Sequence, residues 1–185
     1  MRTIFAVTLL GALSWHVSSA RAQNVIKSPP MPVPQVINAG TEVNVFDGAG
    51  FFSTEINGGG VLNVLGDDPG FMLEINPQGT ANLAGGVLLS AELFNARLRV
   101  AGGVVGRVEQ RGLVDSMLTF AGDEFRVNQN LVSGLNQLGD SAVVTLLESD
   151  VLSGTLSDGT PFVISDLDND HLAGRAIELE RTATP

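Results

Sequence analysis

The sequence predicts an all-β protein: a right-handed parallel β-helix with a repeat of about 19 residues, about five coils and a small β-rich C-terminal cap. Three observations carry that expectation. Stepping by 19 from Ile37 reaches Ile56, Ile75, Phe94 and Leu113, and Asn follows the first four as Asn38, Asn57, Asn76 and Asn95. A second column, Asn44, Asn63 and Asn82, keeps the same step between the apolar pairs Val43/Val45, Leu62/Val64 and Ala81/Leu83. Gly, Asp and Pro clusters interrupt every apolar run, so a helix of ~10 or more residues has no room.

One unit, residues 56–74, holds three short apolar runs between turn residues, the pattern of strands. A single unit cannot bury its own apolar side and must stack on copies of itself, with equivalent residues ~4.8 Å apart. Val43, Leu62 and Ala81 then form one inward column and Val45, Val64 and Leu83 another, while Asn44, Asn63 and Asn82 point outward as an amide ladder. The Asn38–Asn95 column falls at a corner, where Asn tolerates a left-handed backbone and bonds its own turn. Glu55 and Glu74 lie one period apart, and like charges stacked in this way need solvent, an Arg or a cation between them.

In chain order, residues 1–22 read as a signal peptide: Arg2 at the positive end, Ile4 to Trp15 as the apolar core, and Ala20-Arg21-Ala22 as the cleavage site. The apolar core is too short to span a bilayer, no later stretch approaches ~18 apolar residues, and the absence of Cys excludes a lipobox and disulfides. Residues 23–36 form a Pro-rich spacer, a poor cap for the first coil. Residues 37–122 are the solenoid. Ser90 to Arg97 contains good helix formers, but its phase keeps it as coil and corner. Residues 123–185 read as the cap, with strands near Glu124–Val127, Ala142–Leu146 and Ala176–Leu179. Leu152–Leu156 and Pro161–Ile164 form a hairpin around Ser157-Asp158-Gly159-Thr160.

Gly40-Thr41-Glu42-Val43-Asn44-Val45 with Phe51-Phe52, together with Leu152 to Phe162, resembles the repeats and closing segment of short secreted solenoid proteins of planctomycete bacteria. The resemblance covers about two thirds of the chain. It implies an exported β-helix without assigned activity or catalytic residues to transfer. Some such proteins continue into a Pro-Glu-Pro anchoring tail; the sequence reaches Thr184-Pro185 without one, a departure from that pattern.

Composition narrows the chemistry. Ten basic and twenty acidic residues give a net charge of −10, and losing Arg2 and Arg21 with the signal makes it −12, which argues against nucleic acid. The signal also takes the only Trp and His16, leaving His171 as the sole His. His171 in a polar loop makes no triad, and one His without Cys makes no ordinary zinc site. Lys27 is remote from any phosphate loop. Asp166, Asp168 and Asp170 begin like a calcium loop, but His171 and Ile177 replace its Gly and Glu, so an acidic turn or a looser surface site remains. Arg97, Arg99, Arg107 and Arg111, with Glu109 and Asp115 nearby, are the residues a polysaccharide-cleaving β-helix would use, an argument by fold analogy alone. The leading expectation is a secreted, periplasmic or cell-surface structural or adhesion module with no catalytic, cofactor or metal site. Its partners are a second copy or a surface polysaccharide. A small carbohydrate-active β-helix is the alternative, and Ala at Arg97, Arg99 and Arg111 separates the two.

Overall fold

The structure is a computed structural model, describing residues 24–111, 116–165, 172 and 174–185. Every regular element among them is a strand. The coils use β1 (Asn24–Ser28), β2 (Val36–Ile37), β3 (Thr41–Val45), β4 (Phe52–Ile56), β5 (Val61–Val64), β6 (Gly70–Ile75), β7 (Thr80–Phe94) and β8 (Arg97–Arg111). Then follow β9 (Met117–Val127), β10 (Asn130–Leu131), β11 (Ser141–Thr145), β12 (Val151–Leu156), β13 (Pro161–Ser165) and β14 (Ala176–Arg181). About five coils stack as a β-solenoid with a predominant step of 19 residues, as the repeat predicts.

Each coil has two strand faces. The three apolar runs of a unit become two strands, because the run ending at Ile75 continues β6 rather than forming its own strand. The first face stacks β1, β3, β5 and the leading parts of β7, β8 and β9 in parallel, then β14. The second stacks β2, β4, β6 and the trailing parts of β7 and β8. Strand alternation turns every second side chain inward, and the registers align these into columns. Val43, Leu62 and Ala81 sit directly on one another. Ile37, Ile56, Ile75 and Leu93 do the same on the second face, all fully buried. Phe52 stacks on Phe71 with ring centres 5.4 Å apart. Burying each such side chain stabilises the fold by roughly 1.5–3 kcal/mol, repeated along the axis.

The corners follow backbone chemistry. The amides of Thr41, Gly60 and Gly79 donate to the carbonyls of Asn38, Asn57 and Asn76 at 3.0, 2.8 and 2.8 Å. The left-handed residue is two positions after the Asn, at Gly40, Gly59 and Gln78 (φ 76°, 78° and 68°), as in type II turns. The expected left-handed Asn is therefore corrected at three corners: its side-chain amide is used between coils, and its carbonyl closes the turn. The fourth corner is one residue shorter, with Leu93 on Ile75 and Arg97 on Thr80, and there Asn95 itself adopts φ 50°. Ser90 to Phe94 continues β7 with no helical turn.

The stretch read as a spacer differs most from expectation. Asn24–Ser28 is strand, paired parallel with β3 at a step of 17 that places Asn24 on Thr41. Ile26 covers Val43 and Ser28 covers Val45, so the inward alternation holds although the Asn column is occupied by Lys27. Only the Pro-rich residues after Ser28 lack strand until Val36 and Ile37 pair with Glu55 and Ile56.

Beyond the coils, β9 runs through Gly122 without a break, so the solenoid and the C-terminal strands share an element. The β12–β13 hairpin forms where Asp-Gly predicts it, with Thr155 opposite Pro161 and Gly159 at φ 89°. It packs antiparallel on β9, and β11 pairs antiparallel with β14. Asp158 anchors the hairpin to a coil corner, its Oδ2 accepting from the Gly103 amide at 2.6 Å. Asp150 accepts from the Leu147 amide and from Asn128 Nδ2, which together hold its carboxyl below the ordinary Asp value.

Candidate functional site

Parallel registers turn isolated polar residues into lines, and three lines carry the outward chemistry. The first is amide. Asn63 Nδ2 donates to Asn44 Oδ1 at 2.8 Å and to Glu42 Oε1 at 3.0 Å, while Asn63 Oδ1 accepts from Asn82 Nδ2 at 2.8 Å. At the corner, Asn76 donates to Asn57 at 3.1 Å and to Glu55 at 2.8 Å, and Asn57 donates to Asn38 at 3.1 Å. The column Asn44–Asn63–Asn82 and the corner column from Asn38 to Asn76 thus stitch coil to coil.

The second line is acidic and longer than the Glu55–Glu74 pair suggests. Glu55, Glu74, Glu92 and Glu109 are successive cross-strand neighbours on the second face. Like charges placed opposite one another destabilise a sheet. One end is neutralised within the chain: Arg111 pairs with Glu109 at 2.6 Å and Glu92 at 3.2 Å, and Arg107 also pairs with Glu109, whose side chain is only 3 % exposed. Toward the other end, Glu55, Glu74 and Glu92 border a groove of about 390 Å³ with Gln35, Ser53 and Ser90. Glu92 and Glu109 escape sequence reading because their steps of 18 and 17 depart from the period.

The third line lies on the first face. Arg99 follows Asn82 in the Asn44–Asn63–Asn82 column and makes two bonds to Glu180 Oε2, at 2.8 and 3.0 Å, joining the last coil to β14. Thr119 donates to Glu178 at 3.0 Å beside it. Arg97 borders the same shallow groove of about 250 Å³. The four arginines expected around one coil edge are therefore divided: Arg97 and Arg99 are on one face and Arg107 and Arg111 on the other, with β8 turning between them at Gly103 (φ 85°).

Asp115, Asp166, Asp168, Asp170 and His171 lie outside the described residues. Among the described residues, no group of three or more His, Asp or Glu is placed to hold a metal ion, and no helix is long and apolar enough to cross a membrane. Comparison with protein-family models, curated proteins and solved structures finds no match to this chain.

Proposed function

We propose that this chain is an exported structural or adhesion module, a β-solenoid that acts by presenting and joining stacked strand faces. The observation that carries this reading is how the outward polar side chains are engaged. Asn63 bridges two neighbouring coils, Arg111 bridges Glu92 and Glu109, and Arg99 ties the coils to β14. Several of the charged side chains that catalysis would draw on are engaged in ion pairs, Arg99 with Glu180 and both Arg107 and Arg111 with Glu109, and the arginines are separated between two faces. Export rests on the Arg2, Ile4–Trp15 and Ala20-Arg21-Ala22 pattern. The likeness to short secreted solenoid proteins of planctomycete bacteria points the same way.

The test is solution mass by light scattering on a sizing column, across concentration, with calcium and with chelator. Refractive-index detection is needed because a chain cleaved after Ala22 contains no Trp or Tyr. A mass that grows with concentration is expected; a monomer throughout overturns self-association. Cleavage of an acidic polysaccharide that disappears on replacing Arg97, Arg99 and Arg111 with Ala would establish the carbohydrate-active reading instead.

A further inference from the structure

The two ends of the first face carry complementary open strands. Among the described residues, β1 pairs only with β3 and β11 only with β14. In β1, the Asn24 amide donates to Gly40 and the Ser28 carbonyl accepts from Phe46, so alternate residues 24, 26 and 28 face inward along the stack. The N–H and C=O groups of Val25 and Lys27 therefore face the open edge. In β11, the Leu146 carbonyl accepts from Gly174, so residues 142, 144 and 146 face β14, and Ser141, Val143 and Thr145 present their backbone groups to the other edge. Unsatisfied strand edges recruit further strands.

The core shows the same incompleteness at the same two places. One inward column runs Ile26, Val43, Leu62, Ala81, Leu98, Leu118, Ile177, Val144. Its six internal members are 0–1 % exposed, whereas Ile26 and Val144 at the ends are only partly buried. Charge differs between the ends: β1 carries Lys27, and the strand beside β11 carries Glu178 and Glu180. Direction differs too, since β1 runs with the coils and β11 runs against β14.

We propose that the occupant of each edge is a second copy of this chain: β1 of one molecule adds antiparallel to β11 of the next, head to tail. This inference rests on the self-association reading above and specifies its interface. Placing Ile26 over Val144 continues the inward column across the junction and sets Lys27 opposite Val143. Glu178 is Val143's partner on β14, so Lys27 lies roughly 10 Å from it across two strand spacings, a gap two long side chains can close. Joining like ends would place Lys27 on the same face as its own copy. Because the joined patches differ, the interface is heterologous and propagates as an open chain.

The test uses Val25→Pro and Val143→Pro, each removing an amide that faces the open edge and leaving the bonds to β3 or β14 in place. At concentrations where the unmodified protein forms multimers, each variant alone is expected to be a monomer. An equimolar mixture is expected to double in mass and stop there, because each variant supplies the edge the other lacks. Dimerisation of Val143→Pro alone would mean β1 joins β1, and dimerisation of Val25→Pro alone would mean β11 joins β11; either overturns the proposal. So does a mixture that stays monomeric, or a variant that assembles like the parent. In those cases self-association itself stands, whereas a parent protein that is monomeric at every concentration removes both readings.

Should proline unfold either variant, cysteine replaces it, since the chain contains none. Lys27→Cys/Val143→Cys is expected to give a ladder of covalent multimers on oxidation, with each single variant left uncrosslinked. A covalent dimer from either single variant, or no ladder from the double, overturns the pairing.

Discussion

Asn63 shows how much one side chain can do in a stacked fold. Its amide touches the coil on each side, with three bonds of 2.8–3.0 Å. Asn63→Ala removes all three while leaving the inward column intact, and a loss of about 1–2 kcal/mol is expected, since partners left behind regain water. Urea unfolding checks it: the midpoint should fall with the slope unchanged. Gln110 has the opposite balance. It ends the column Ile37–Ile56–Ile75–Leu93, is 2 % exposed, and its Oε1 has no hydrogen-bond partner, while its Nε2 reaches the Ala176 carbonyl only at 3.4 Å. Gln110→Leu completes the aliphatic column and is expected to raise stability by about 1–3 kcal/mol. A lower thermal midpoint would show instead that the buried carbonyl is hydrated in solution. The Asn columns were legible because identical residues recur in phase. Gln110 was not, since nothing local marks a polar residue as the end of a core column.

Strands and corners were legible to different degrees. Val61–Val64, Gly70–Ile75 and the β12–β13 hairpin followed from alternation and turn residues, which are local signals. The strand Asn24–Ser28 carried neither a corner Asn nor the 19-residue step, and only its pairing with β3 identifies it. Gly122 illustrates a constraint that spacing alone does not reveal. It lies between β12 and β14, opposite Leu156 and Arg181, and a Cβ there would collide with the Thr155 carbonyl. Backbone cannot rotate aside as a side chain does, so Gly122→Ala is expected to cost upwards of about 2 kcal/mol. The damage should concentrate where the C-terminal strands meet the coils. Hydrogen exchange is the measurement: amides of β12 and β14 should lose protection before those of β3 and β5. Uniform loss would mean that the solenoid and the C-terminal strands unfold together.

At the scale of the whole molecule, periodicity was sufficient for the architecture but poor at gathering the surface chemistry. The fold follows from which residues lie one coil apart, and a fixed step reveals that. The acidic line needs Glu92 and Glu109, which the shortened coils move out of phase. Likewise, the arginines close in sequence along β8 separate because the strand turns a corner between Arg99 and Arg107. The step falls from 19 at Val64–Leu83 to 17 at Gly70–Val87, so the two missing residues come from the corner at residues 84–86, and both faces stay in register on either side of it. The same tolerance works in the opposite direction. A tandem duplication of the coding segment for residues 57–75 would add one coil, ~4.8 Å of length, and only junctions that the fold already contains. The reach of such a protein is thus a number of units, adjustable by copying without redesigning a core.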